Sequence, residues 1–343
     1  MMIFSTPRPF LALLLLLAAL AACAAPQAAL SPDSVAASPA YPQTAPAPET
    51  ETVLGPLSAP PTEAVSATQT ATIPPATQTP RQQDSGFGWC AEGLATCFDE
   101  AHSFPLTRPI PSRIDPTYRY ASTQNGDREI HHGVEFYQAF GTPVLAAGPG
   151  RVAFAGDDLK EKVAPWPGFY GNYIVLEHNF GGQTLFTLYG HLSKIDVQAG
   201  QPIATGQKIG EVGASGSAIG SHLHFETRSG QNNYAATRNP EVWFAPLEGM
   251  GALAGQIFDP NNPKVKGAVR IQRMENGKIA DFPAYQSLDI YPPQLVAENG
   301  ENFALNDLPA GQYRLTYLYG GQVYEHFIEI RPAILTLLRI VLD

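Results

Sequence analysis

Gly213-Ala214-Ser215-Gly216-Ser217-Ala218-Ile219-Gly220-Ser221-His222-Leu223-His224-Phe225-Glu226 decides how the chain is read. Its first part is almost entirely Gly, Ala and Ser, with glycines spaced as in turns. Its second part alternates polar and apolar residues. Side chains on a strand point to opposite faces in turn, so His222, His224 and Glu226 share one face and Leu223 and Phe225 the other. A lone His is more often a packing or surface residue than a ligand. His-X-His on a strand is a stronger signal, because two imidazoles and a carboxylate at a sheet surface suit Zn²⁺, which leaves its fourth position to water at catalytic sites.

Two upstream segments carry the same chemistry: His131-His132-Gly133-Val134-Glu135 and Leu188-Tyr189-Gly190-His191-Leu192-Ser193. Seven of the eight His residues fall between His102 and His224, in a chain that is only 15% charged. Between the motifs, short apolar runs (Pro143 to Ala146, Arg151 to Ala155, Tyr173 to Leu176, Thr184 to Leu188) are separated by Gly and Pro turns. Runs this short, rich in β-branched residues, predict a compact antiparallel sheet rather than helices. The longer insertion from Asp157 to Phe169 holds Pro165-Trp166-Pro167, and either walls a groove or packs on the sheet edge.

At these residues the sequence resembles the LytM/lysostaphin-type zinc metallopeptidases, peptidoglycan endopeptidases with a small antiparallel β fold. The resemblance covers about residues 128–240. It includes Gly141-Thr142-Pro143-Val144, Gly148 to Val152, Gly171-Asn172-Tyr173 and Gly206-Gln207-Lys208-Ile209-Gly210. It implies one Zn²⁺ per chain held by His131, Glu135 and His224, with His191 and His222 as the catalytic pair. The division of work between those two is left open. The family's first motif carries Asp where this chain has Glu135. The carboxylate is kept, but its oxygens move by about one carbon–carbon bond, and a site misplaced by about 1 Å can lose a hundredfold in rate. The alternative is therefore a catalytically degenerate lipoprotein that binds peptidoglycan or activates a separate hydrolase; zinc buffering is a third option. Glu226 either orients a ligand or is a half-exposed strand acid. Tyr189 either meets substrate or packs, and Asn172 either makes a turn or lines the groove. His102, His132 and His178 are read as structural or supporting residues.

Composition narrows the class further. The chain has 343 residues, a formal charge of −10, 32 Pro and 3 Cys. That charge argues against a nucleic-acid partner, and three Cys supply neither a disulfide scaffold nor a four-thiolate zinc site. Arg8 precedes an apolar run, Phe10 to Ala22, too short to span a bilayer but suited to a signal peptide, residues 1–22. Leu20-Ala21-Ala22-Cys23 resembles the bacterial lipobox, which implies lipidation of Cys23 and anchoring at the outer face of the cell membrane. Residues 24–85 hold 12 Pro, nine Thr and one aromatic residue, a composition expected to form a disordered tether. Structure is expected from about Gly86, in a lead-in (86–127) where Cys90 and Cys97 form a disulfide in an oxidising compartment. Whether residues 98–128 plug the groove is open, as is the oligomeric state.

The peptidase-like domain is placed at 128–248. Beyond it, residues 250–343 change texture. Gly255 to Asp259, Lys266 to Ile271 and Leu308 to Leu315 resemble the transthyretin-like β-sandwich of carboxypeptidase regulatory domains. Tyr313, Leu315, Tyr317 and Tyr319 share one strand face, as core or as a carbohydrate-binding strip. His326 reads as an exposed strand residue. The fold class is therefore all-β: an antiparallel metallopeptidase sheet followed by a β-sandwich.

Overall fold

The computed structural model describes residues 89–90, 95–124, 126–262, 264–280, 285–296 and 300–342. The proposed signal peptide, Cys23 and the tether lie outside them. Within the described residues the secondary structure is strands plus three single-turn 3₁₀ helices. The short apolar runs form strands Pro143–Leu145, Gly150–Asp157, Asn172–Phe180 and Gln183–Gly190.

The main sheet is antiparallel. Its strands run in the order Thr237–Arg238, His222–Ser229, Gln183–Gly190, Asn172–Phe180, Gly150–Asp157, Pro202–Ile203, and Val134–Tyr137 pairs with the start of His222–Ser229. That pairing matters most for the site. It sets Glu135 directly opposite His224, and His224 opposite Gly190 on its other side, one residue before His191. Register here is held by the core, because a one-residue slip would turn Leu223 and Phe225 out of it and the two histidines in. Leu223 and Phe225 pack with Phe136, Tyr189, Ile174 and Leu185. Each fully buried side chain of this size contributes about 1.5–3 kcal/mol.

The small-residue run ahead of His222 closes into a loop whose base is tied by His222 N–H to Gly213 O (3.2 Å). Gly171 and Gly216 both have positive φ (64° and 69°). Their backbones meet so closely that a Cβ on Gly171 would lie 2.3 Å from Gly216 N. Only glycine fits either position.

The C-terminal strands form two sheets around one core. Thr96–Asp99, Leu335–Val341, Met250–Phe258 and Phe303–Pro309 make the first; Ala268–Glu275, Gly311–Tyr319 and Gln322–Ile330, with two short strands, make the second. Leu253, Ile257, Leu305 and Leu338 of the first meet Ile271, Leu315, Ile328 and Ile330 of the second. Met250–Phe258 and Leu335–Val341 pair in parallel, as a long excursion between strands permits. Thr96–Asp99, within the lead-in, is an edge strand of the first C-terminal sheet. Cys90 and Cys97 are bonded, with Cα atoms 5.4 Å apart. Tyr313 and Tyr317 are buried in the shared core, with Tyr319 packed at its margin, so the aromatic strip is packing and not a sugar platform. His326 is half-buried.

Candidate metal centre

Five side chains from three motifs converge at one end of the main sheet. His131, Glu135, His191, His222 and His224 are each no more than 5% exposed, at the floor of a cleft of about 450 Å³. Period two places His222 and His224 on the same face of their strand. Glu135 faces them from the neighbouring strand, and His131 enters from the loop just before it. His191 follows strand Gln183–Gly190 with φ of 62°, a strained backbone for a non-glycine residue.

Three donor atoms point at one place. His131 Nε2 lies 3.0 Å from Glu135 Oε1, His224 Nδ1 lies 3.1 Å from the same oxygen, and the two nitrogens are 3.3 Å apart. Zn²⁺ bound at about 2.0–2.1 Å in a tetrahedral array separates its ligands by about 3.3 Å, so the triangle suits one face of such a site. The second Glu135 oxygen, Oε2, stands 3.2 Å from His222 Nε2 without hydrogen-bond alignment, a buried oxygen otherwise unpartnered.

Each ligand nitrogen is aimed by what the other ring nitrogen does. His131 Nδ1 lies 3.2 Å from Arg119 O, and a carbonyl only accepts, so Nδ1 carries the proton and Nε2 keeps its lone pair. His224 Nε2–H meets Glu226 Oε1 at 3.1 Å, which frees Nδ1. Glu226 is fully buried and also accepts from Tyr170 OH (2.6 Å) and Arg228 Nε (2.8 Å). Glu226 therefore orients the His224 ring and is not an exposed strand acid. His191 Nδ1 donates to Ser215 O (2.9 Å) and His222 Nδ1 to Gly220 O (3.1 Å). In both residues Nε2 is the nitrogen left for the cleft.

Electrostatics follow from this packing. Burial alone would raise Glu135, but His224 and His131 outweigh it and hold the carboxyl well below its usual range. Burial likewise opposes the charge on Glu226, yet Arg228, then His224, bring it down to about 2. Burial lowers His224 less than Glu135 and Glu226 raise it, and the net is an imidazole near 9. Burial, reinforced by His224, lowers His191 to about 3. His191 is a neutral imidazole at working pH.

Gly133 has its own reason to be glycine. A Cβ there would lie 2.5 Å from Phe225 O and 2.8 Å from His224 Cε1. Gly133→Ala is expected to push the His224 ring aside and weaken metal binding about 10–100-fold, the range for losing the group that aims a ligand. Zinc analysis after dialysis measures it. Arg228→Met removes the guanidinium paired with buried Glu226, and is expected to lower stability by about 3–5 kcal/mol, read from urea denaturation of metal-free protein.

The remaining singled-out residues separate cleanly. Tyr189 is fully buried, and its hydroxyl accepts from Ala147 N–H (2.9 Å), so it packs. Asn172 ties loops together through Ser215 Oγ and Leu192 O. Trp166 walls the cleft and sits edge-on to Phe169. His178 bonds Pro149 O and Thr187 Oγ1, and His102 bonds Val242 O. His132 stacks on Tyr234 and is lowered to about 4 by burial. The lead-in contributes to the cleft: Leu106, Ile110 and Ile114 join the core, whereas Tyr118, Gly126, Asp127 and Arg128 line the cleft, with the Tyr118 ring stacked on His131 at 3.9 Å. Sequence reasoning missed Tyr118, Phe169 and Tyr170, which carry no local signal. Arg228 was legible in principle, continuing the same-face series 222, 224, 226.

Residues 129–236 match Peptidase family M23. Over 117 residues the chain is 40% identical to the Peptidoglycan DD-endopeptidase ShyA of Vibrio cholerae, covering 34% of this chain and 24% of that protein. It is 36% identical over 110 residues to the Lipoprotein NlpD/LppB homolog of Pseudomonas aeruginosa, covering 32% of each. The catalytic domain of lysostaphin from Staphylococcus simulans aligns at 31% identity over 37% of this chain and 88% of that domain, with a TM-score of 0.31. The chain thus spans about a quarter to a third of the length of these curated relatives.

Proposed function

We propose that the protein is a zinc-dependent endopeptidase that hydrolyses peptide bonds of peptidoglycan. The observation that carries this reading is the triangle of His131 Nε2, Glu135 Oε1 and His224 Nδ1 with two further imidazoles beside it. The family match over residues 129–236 supports it, as do relatives named for peptidoglycan cleavage. His131, Glu135 and His224 would hold one Zn²⁺ per chain, which when bound makes a water more acidic and polarises a carbonyl.

The chain's own residues supply the proton handling. His191, neutral and with Nε2 free, accepts a proton from the attacking water. His222, with Nε2 turned to the cleft and its ring 4.8 Å from His191, is placed to serve the leaving amine. Trp166, Phe169 and Tyr118 give the cleft an aromatic lining.

Export, lipidation at Cys23 and the tether over 24–85 would place this site at the outer face of the bacterial membrane, with reach toward the wall. The likeness to an NlpD-type lipoprotein supports an envelope location. Residues 250–343 are read as a carboxypeptidase regulatory-like sandwich, which two sheets around one core support. The deciding experiment is digestion of defined cross-linked peptidoglycans with zinc-loaded protein and mass analysis of the products. Cleavage that stops with a chelator and returns with one equivalent of zinc is expected. No cleavage of any peptidoglycan type by fully loaded protein overturns the reading.

A further inference from the structure

The C-terminal module packs against the segment that backs His131. His131 leans on the Arg119 carbonyl, and its own backbone pairs both ways with the lead-in: Ala121 N–H to His131 O (2.7 Å) and His131 N–H to Ser122 O (3.0 Å). The lead-in segment 119–122 is therefore the seat of His131, and its own anchors decide where the imidazole sits. There are two.

The first anchor is polar. The Arg119 guanidinium is buried and paired with Glu241, which is fully buried. Glu241 Oε2 also accepts from Asn306 N–H (2.8 Å), and Asn306 Nδ2 donates to the carbonyls of Glu241 (2.7 Å) and Phe244 (2.8 Å). Asn306 lies in strand Phe303–Pro309 of the C-terminal module. The second anchor is apolar. Tyr120 and Ala121 pack with Tyr291 and Leu295 in one cluster, and Ile130, the residue before His131, packs against it. The Tyr120 and Tyr291 rings meet edge to face at 5.1 Å, and Tyr291 OH accepts from Asn239 Nδ2 at 2.6 Å.

We infer that the C-terminal module is a working part of the metal site: Asn306, through Glu241 and Arg119, and Tyr291, under Tyr120 and Ala121, are positioning residues for His131. This rests on the zinc reading above. A buried, hydrogen-bonded carboxylate–guanidinium pair fixes a backbone better than a solvent-exposed one, because neither partner has water to turn to. Part of a wider interface, Asn306 through Glu241 and Tyr291 with Leu295, falls on Arg119, Tyr120 and Ala121, which seat His131. The module's contribution to catalysis is then geometric.

The test uses the full chain with Tyr291→Ala, Arg119→Met and Tyr291→Phe. The first two are expected to weaken zinc binding about 10–100-fold and to change the visible absorption of the Co²⁺-substituted protein. Tyr291→Phe keeps the ring and is expected to restore both. In metal-free protein, the His131 Nδ1–H signal in ¹⁵N-resolved NMR is expected to be slowly exchanging in the parent and to broaden or vanish in the two variants. If Tyr291→Ala does not fold, Tyr291→Leu takes its place. Variants that unfold more easily yet keep the parent's zinc affinity, Co²⁺ spectrum and His131 signal overturn the inference and leave the contact purely structural. A parent protein that binds no zinc while the His131 signal still responds overturns the zinc reading but supports the positioning.

Discussion

In zinc-loaded protein, His191→Ala lowers kcat/KM for cross-linked muropeptides by about 10²–10⁴-fold, the usual contribution of a positioned acid–base group, while bound zinc stays near one equivalent. The expectation follows from where His191 stands. It lies beside the donor triangle but outside it, its ring 4.8 Å from His222 and 5.7 Å from His224. Its Nδ1 proton is committed to Ser215 O, and burial keeps Nε2 unprotonated at neutral pH. The side chain is therefore set to take a proton, and its strained backbone is tolerated for that placement. Metal analysis and steady-state kinetics on the same preparation check it. Loss of zinc together with activity would make His191 a ligand. Full activity without it would favour a protein that binds the wall and leaves cleavage to another enzyme.

Glu135→Asp is expected to lower activity by about a hundredfold, not raise it. Glu135 is where the chain departs from the resembled family, and the longer side chain raised the question of a detuned site. Here the Glu135 carboxylate reaches both imidazoles, with Oε1 at 3.0 and 3.1 Å. Its backbone has little room to follow a shorter side chain, because Glu135 pairs with His224 across the ladder, Phe136 is locked in the core, and Asp115 N–H holds Glu135 O at 2.9 Å. The aspartate oxygens would stop about one carbon–carbon bond short, and misplacement on the order of 1 Å is enough for a hundredfold loss. Kinetics of the zinc-loaded variant decide the matter: a turnover equal to or above the parent's would mean that the strand yields and that Glu135 was the poorer ligand.

The strands of the main sheet were legible because each is a short run whose period and turn residues are local properties. His222 and His224 were legible for the same reason, since same-face placement needs only the alternation of one strand. The side of Glu226 was also readable, but its burial was not, because burial depends on Tyr170 and Arg228 closing over it. The pairing of the lead-in was not legible. Thr96–Asp99 has no distinctive pattern of its own, and its partner, Leu335–Val341, lies more than two hundred residues away. The Tyr313 series was ambiguous in sequence since a strand face looks alike whether it meets a second sheet or solvent.

From sequence alone came the residue types, their spacing and the period of each strand, and these already contained the donor set of the proposed zinc site. What only the tertiary structure decided is which lone pairs meet. That depends on pairing register between strands ninety residues apart, on the carbonyls of Arg119, Ser215 and Gly220 choosing each imidazole tautomer, and on a C-terminal module packed beneath the seat of His131. Periodicity is a property of neighbours along the chain, whereas register, burial and tautomer belong to neighbours in space, which one strand's sequence does not contain.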